Sequence, residues 1–382
     1  MGSMGVMGDK IAKPAKLAKL AKKAIAAKPA KLAKKATPRV AVCFDSFKGC
    51  VGAEEASRQV AAALCEAGYE AWALPMADGG EGTARVLTLA GVRQPAVDMA
   101  LKAGLGNREG TSRARVMEAS TFELGRMLAR MSGSEGEILL GVGGSATCDG
   151  GMGLLAALGA RLRFRGAEVS RPAAKDLANL QEIDLSGVKA PRVRMLVDVR
   201  APLTGAEGAA LRFSPQKGAT PQQAEWLDGA LSHYASVAAR CIGCSAEELM
   251  AMPGGGAGGG IVVAGRLLGW QREWGAEYVI RQWLPQLQQA DVIITGEGRT
   301  DESSAAGKVP FALLEAARRL GKPVILLSGC VRVPQGSGLL DGFAAVRGVS
   351  PLNASREDMT AAATVPRLKA AALHELLGLF GC

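Results

Sequence analysis

The stretch Gly141-Val142-Gly143-Gly144-Ser145-Ala146-Thr147-Cys148-Asp149-Gly150-Gly151 constrains this chain more than any other. The short apolar run Glu137-Ile138-Leu139-Leu140 precedes it and suits a buried strand, and the run Met152 to Leu162 after it has helical spacing. The spacing therefore predicts a strand-to-helix turn packed with glycine. Glycine allows φ > 0 and close approach of backbone N–H groups to a ligand. A helix start adds unpaired N–H donors at the positive end of the dipole. Ser145, Thr147 and Asp149 add two hydroxyls and a carboxylate. The inventory suits an anionic ligand with a metal; a tight turn with no ligand is the competing reading.

A chain of 382 residues is long enough for two domains. The net charge of +10 is concentrated at one end: residues 1–38 hold ten lysines and one acid, Asp9, a balance of +9 that leaves +1 for the remainder. A nearly neutral body gives no reason to expect nucleic-acid binding by the folded part. The Lys/Ala/Leu/Pro tail reads as disordered and solvated. It also resembles basic segments that make weak, sequence-independent contact with nucleic acid or an anionic membrane. Eight scattered cysteines in a long chain without a secretory signal point to free thiols and a cytoplasmic location, with organellar targeting by the tail left open. The lone pair Cys241 and Cys244 lacks the partners a zinc site needs, and with only His233 and His374 a histidine-based triad is not expected.

The folded body is expected to open at Arg39–Phe44, a short apolar strand running into Asp45-Ser46-Phe47-Lys48-Gly49, then a helix over 53–67 and a strand over 71–74. This β-α-β order is typical of parallel sheets, whose ligands gather at the carboxyl ends of strands. Asp45, Ser46 and Lys48 occupy such an end. Asp78-Gly79-Gly80-Glu81-Gly82-Thr83 places two carboxylates in a glycine turn, suited to a divalent metal or hydroxyl groups, against the reading as an acidic surface turn. Strand-like Arg192 to Val199 carries Asp198 near its end, and Lys217 stands in a Pro/Gly turn. Pro253 to Gly260 contains the spacing GxGxxG, but a helical pattern precedes it instead of a strand, so it is read as a flexible glycine segment opening a helix over 261–268. The strand Asp291–Thr295 runs into Gly296-Glu297-Gly298-Arg299-Thr300-Asp301, followed by a helix to Leu320, strands near 324–327 and 342–346, and a last helix over 365–380. No GxxxxGK[ST] occurs, which excludes a P-loop enzyme.

Five of these segments, Asp45–Gly49, Ala77–Thr83, Gly143–Gly151, Pro215-Gln216-Lys217-Gly218-Ala219 and Ile294–Asp301, stand in the order found in the type I glycerate kinases, and the chain from about residue 39 to its C-terminus resembles that family. The resemblance implies ATP-dependent phosphorylation of D-glycerate, with the 2-hydroxyl favoured over the 3-hydroxyl. It implies an α/β fold of two domains with the active site in the cleft between them: a Rossmann-like (flavodoxin-like) domain from 39–76 and 290–382, and an inserted α/β domain over 77–289. The sequence departs from the family pattern at Cys148, at Arg200-Ala201 before Pro202, at Ser303, and in a shortened connection between Glu81 and Gly143.

Phosphoryl transfer needs positioning and charge neutralisation more than covalent chemistry. Chemistry and resemblance together make Asp198 the general base, with Asp301 second and Lys48 also in the catalytic set; Lys48, Lys217 and Arg299 are candidates for phosphate or glycerate-carboxylate contacts. Gly143, Gly144, Ser145, Asp149, Lys217, Gly296, Glu297, Gly298 and Arg299 are assigned to phosphate and nucleotide, and Asp78 and Glu81 to Mg²⁺. Two other readings stay open: a kinase for another small hydroxy acid, and a non-catalytic polyanion-binding protein acting through its tail. Oligomeric state is not readable from the residues.

Overall fold

The structure, a computed structural model, describes residues 37–104, 115–133, 136–166, 169–334, 336–351 and 353–381. The tail up to residue 36, with its expected disorder and polyanion contacts, lies outside the described residues. Along the chain run β1 (Arg39–Phe44), β2 (Glu70–Ala73), β3 (Ala96–Asp98), β4 (Ile138–Gly141), β5 (Arg161–Phe164), β6 (Leu180–Asp184), β7 (Val193–Val197) and β8 (Gln271–Trp274). They are followed by β9 (Val292–Gly296), β10 (Arg299–Asp301), β11 (Val324–Ser328), β12 (Cys330–Arg332) and β13 (Ala345–Gly348). The described residues divide into two compact units, one drawn from 37–77, 89–91 and 276–381, the other from 78–88 and 92–275. The return to the first unit comes at Ala276, earlier than the 290 expected: helix Leu284–Gln289 packs against β1 with Leu287 buried, and Trp283 Nε1 donates to Pro75 O at 3.0 Å.

The first unit is built on a five-stranded sheet in the order β13-β11-β9-β1-β2, parallel throughout. Val40, Ala41, Val42, Cys43 and Phe44 are all fully buried, as expected of a strand covered on both faces. The helix Ala53–Glu66 covers one face with Ala56, Val60 and Leu64, and the helix Ala361–Phe380 adds Leu368, Ala372 and Leu376. Each Val or Leu among them contributes about 1.5–3 kcal/mol by leaving water. Ser57 Oγ on the first helix accepts from Phe44 N at 3.2 Å, fixing the end of β1.

The second unit has a parallel sheet in the order β3-β4-β7-β8, with β5 and β6 as a separate antiparallel ribbon. Its core gathers Leu140, Met152, Leu155, Leu227, Tyr234 and Ile261. The long helix Pro221–Ile242 starts with a capping box, Thr220 Oγ1 accepting from Gln223 N at 3.2 Å, and ends at Gly243 with φ 69°.

Two expected boundaries shift, and one segment proves buried. The helix after Gly151 stops at Ala157 instead of running to 162, because Gly159 turns the chain at φ 100° and β5 begins at Arg161. The strand expected over 342–346 is β13, Ala345–Gly348, paired with β11. The segment Gly254–Gly260 is buried, not a loose linker: a Cβ on Gly259 would lie 2.0 Å from Thr147 O and one on Gly256 2.3 Å from Pro202 O. Close backbone packing explains those glycines, and a helix, Ala246–Ala251, precedes them, which upholds the rejection of a dinucleotide fingerprint.

Candidate active site

In the second unit, the carboxyl ends of the parallel strands carry the polar groups. β4 ends at Gly141 and leads into the glycine loop; β7 ends at Val197 and delivers Asp198. The loop and the turn 78–82 are laced together, Gly143 N donating to Gly79 O at 2.9 Å. A Cβ on Gly143 would lie 2.5 Å from Asp198 Oδ2 and 2.7 Å from Gly80 Cα, and one on Gly144 would lie 3.6 Å from Glu81 Cβ. Only a residue without a side chain lets Asp198, the acidic turn and the glycine loop approach this closely. Within the turn, Asp78 Oδ1 accepts from Gly80 N at 3.0 Å. Asp98, at the end of β3, accepts from Gly82 N at 2.7 Å and Ala84 N at 2.9 Å, anchoring the turn and the helix Thr83–Leu89. Burial pushes the Asp98 carboxyl above the usual range despite those two amide hydrogen bonds.

Lys217 reaches the same loop from the turn Pro215–Lys217. It is 9% exposed, and its Nζ donates to Ser145 Oγ at 3.1 Å and to Thr147 O at 2.7 Å. Burial lowers the pKa of this ammonium, opposed by the neighbouring Cys148, Asp198 and Asp149. Beneath the loop, burial pushes the Cys148 thiol up to about 11. Asp149 is fully buried. Its carboxylate accepts from Thr121 N and Oγ1, both at 2.8 Å, and from Gly151 N and Gly153 N, both at 3.2 Å. With both oxygens engaged inside the unit, Asp149 holds the turn in shape; it is not placed as the ligand contact expected from its sequence position.

The first unit has its own polar cluster. In its sheet, β2 lies on one side of β1 and β9 on the other, so the chain changes direction between β1 and β9. Such a switch point opens a crevice at the strands' carboxyl ends. There Asp45 N donates to Gly296 O at 3.0 Å, and Lys48 stands exposed on the turn that Phe47 and Val51 close. A Cβ on Gly298 would lie 3.4 Å from Lys48 N, so the two turns stack. Glu297 is 5% exposed; it accepts from Thr300 Oγ1 at 3.1 Å and lies 3.7 Å from Lys308 Nζ. Arg299 Nε pairs with Asp301 Oδ2 at 2.9 Å, and Asp301 Oδ1 accepts from Ser303 N at 3.0 Å. Partial burial pushes the Asp301 carboxyl up, but the Ser303 hydrogen bonds and the charges of Lys308 and Arg299 outweigh it and leave its pKa below the ordinary value.

Both units carry cations, carboxylates and glycine turns at the ends of parallel strands. A family model described as the glycerate kinase family matches residues 40–95 and 89–374. The chain belongs to the glycerate kinase family. It is a phosphotransferase with an alcohol group as acceptor. A glycerate kinase of Haemophilus influenzae is 34% identical over 302 residues, which cover 68% of this chain and 76% of the relative. A glycerate 2-kinase of Escherichia coli K12 is 31% identical over 327 residues, 76% of this chain and 85% of the relative. A crystal structure from Salmonella typhimurium LT2, assigned to glycerate kinase 2, superposes with a TM-score of 0.70 at 30% identity, covering 91% of this chain and all of that one.

Within this glycerate kinase-family chain, the structure brings together Asp78, Glu81, Gly143, Gly144 and Asp198, with Ser145 and Lys217 adjoining them, in the second unit. Lys48, Gly296, Glu297, Gly298, Arg299 and Asp301 assemble in the first. Asp98 and Thr121 were not anticipated. An acid ending the short run Ala96-Val97-Asp98 was the available signal for the first; nothing local marks Thr121, which meets Asp149 across 28 residues of chain. Among the described residues, no group of three or more His, Cys, Asp or Glu is placed to hold a metal, and no helix is long and apolar enough to cross a membrane.

Proposed function

We propose that this kinase transfers the γ-phosphoryl group of ATP to the 2-hydroxyl of D-glycerate, giving 2-phosphoglycerate. The observation that carries the reading is the seat of Asp198, whose Oδ2 lies so near Gly143 and the 78–82 turn that a Cβ at position 143 would be 2.5 Å from it. A carboxylate held beside a glycine loop and an acidic turn is placed to accept a hydroxyl proton. Asp301 is held below its ordinary pKa by Ser303, Lys308 and Arg299, which weakens it as a base. The relative named glycerate 2-kinase supports the choice of hydroxyl.

The remaining roles follow from charge. Lys48 and Arg299 neutralise phosphate oxygens, and Glu297 sets the shape of the turn that carries Arg299. Lys217 holds the Ser145–Thr147 loop through its two hydrogen bonds. Mg²⁺ is commonly bound by one or two carboxylates plus substrate phosphates, without a full protein cage. The Asp78 and Glu81 pair fits that donor set, and these two residues would hold the ion. When bound, it supplies charge neutralisation of the nucleotide phosphates. Asp198 takes the proton of the 2-hydroxyl as its oxygen attacks the γ-phosphorus, and ADP leaves.

The test is ADP release measured against D-glycerate, L-glycerate, lactate and glycerol with ATP and Mg²⁺. The reading expects D-glycerate to have the highest kcat/KM; a higher value for lactate or glycerol would replace the acceptor.

A further inference from the structure

The carboxyl edge of the second unit's sheet carries one more cluster that these roles leave unused. Arg272 and Trp274 lie two residues apart on β8 and so project from the same face of the strand. Glu273, between them, faces the other way and pairs with Arg194 Nη1 at 3.0 Å. Arg200, two residues beyond Asp198, lays its guanidinium over the Trp274 ring with Cζ 4.2 Å from the centroid. Arg272 Cζ lies 5.0 Å from the same centroid. One cation over an indole is a favourable pair. The second brings like charge with it: desolvation and the charge of Arg200 both lower the pKa of Arg272. Among the described residues, Arg272 makes no ion pair with a carboxylate.

The cluster is held by a built seat. Gly254 is buried at φ 78°, and a Cβ there would lie 3.1 Å from Trp274 Cζ3 and 3.2 Å from Arg272 Nη1. Gly254 N donates to Arg200 O at 3.1 Å, and Gly256 N to Ala201 O at 3.1 Å. The glycine segment that is no dinucleotide fingerprint thus supports the two arginines and their ring. The cluster also adjoins the proposed chemistry. Gly275 follows Trp274, and a Cβ on it would be 2.3 Å from Asp78 O. Two residues of extended chain, at most about 7 Å, separate Arg200 from Asp198.

We propose that Arg200 and Arg272, stacked on Trp274, form an oxyanion subsite that takes the carboxylate of the acceptor. The proposal rests on the reading of Asp198 as the base. A 2-hydroxy acid carries its carboxylate on the carbon next to the reacting hydroxyl, so the group that recognises the carboxylate must stand close to the base. The planar guanidinium fork matches a carboxylate in two parallel hydrogen bonds. A nucleotide phosphate shares the oxyanion chemistry, and the experiment separates the two sources.

The full-length chain and its Arg272→Gln and Arg272→Lys variants are compared by titrating D-glycerate and ATP separately, and by calorimetric titration of D-glycerate with and without ADP. The expected result for Arg272→Gln is a KM for D-glycerate raised at least about tenfold, with the KM for ATP within twofold and a matching loss of calorimetric affinity. Arg272→Lys should recover only part of it, since a lysine lacks the fork. A rise confined to the KM for ATP would assign the cluster to the nucleotide, and no change in either KM would make the stack structural; both overturn the proposal. A wild-type chain that binds D-glycerate with an Arg272-dependent affinity but does not phosphorylate it would sink the base assignment and leave the subsite standing.

Discussion

Replacing Gly143 by alanine tests the geometry around Asp198 most sharply. The substitution adds one methyl group, and Gly143 has no left-handed φ to strain it. The new Cβ would stand 2.5 Å from Asp198 Oδ2, where ordinary contact begins at 3.4 Å, so something must yield by 3.4 − 2.5 = 0.9 Å. The Gly80 Cα, 2.7 Å away, must also give, by 3.4 − 2.7 = 0.7 Å, so the 78–82 turn shifts together with the carboxylate. A misplacement of about 1 Å in a reacting group can cost about 100-fold in rate, or about 2.7 kcal/mol in the barrier. Overpacking of this kind costs about 1–3 kcal/mol of stability. The assay is kcat with saturating D-glycerate and ATP, beside a thermal melt. Gly229, inside the helix Pro221–Ile242 with open space around it, is the control: Gly229→Ala should leave kcat unchanged and stabilise the helix by about 0.5–1 kcal/mol. A Gly143→Ala enzyme that keeps more than a third of wild-type kcat would refute the argument that Asp198 works from this seat.

The other expectations are simpler to check. Asp98→Ala removes the anchor of the 78–82 turn; it should cost about 1–2 kcal/mol in a denaturant titration and raise the Mg²⁺ concentration for half-maximal activity about tenfold or more. Lys217 has its folded-state pKa depressed, so it loses its proton below the ordinary 10.5. Between those two pKa values the unfolded chain holds more protons, so stability rises with pH across that window. The charge that holds the Ser145–Thr147 loop is lost over the same range, so kcat/KM for ATP should fall on an alkaline limb below 10.5 that Lys217→Arg removes. Cys148, pushed up to about 11 by burial, should resist an aromatic disulfide reagent at pH 8 while exposed Cys65 reacts at once; equal rates would show that the loop opens readily.

The parallel sheets were legible because β1, β4, β9 and β11 are short apolar runs ending in glycine or polar turns, a pattern that survives without tertiary information. The place of Asp198 at a strand end was legible for the same reason, since it directly follows an apolar strand; its proposed role as base comes from chemistry and resemblance. What escaped was set by contacts distant in sequence. Asp149 looks like a ligand contact in a glycine loop, and only the fold, which sets Thr121 against Oδ2 and Gly151 N against Oδ1, shows that its oxygens are spoken for. The glycines at 254–260 look loose in isolation, yet they are where backbone passes closest to Thr147, Pro202 and Trp274. The boundary at Ala276 was hidden because the helices that follow carry no mark of which unit's strands they cover. Arg200, Arg272 and Trp274 come together through the register of β7 with β8, which pairs Val197 with Trp274.

The central claim is transfer to the 2-hydroxyl of D-glycerate with Asp198 as base. Phosphorus NMR of the product formed from D-glycerate, ATP and Mg²⁺, run for the wild-type chain and Asp198→Asn under single-turnover conditions, tests it most directly. The account predicts the 2-phosphoglycerate resonance alone from the wild type, and a rate at least about 100-fold lower from Asp198→Asn. A 3-phosphoglycerate resonance, or an Asp198→Asn enzyme as fast as the wild type, would contradict it.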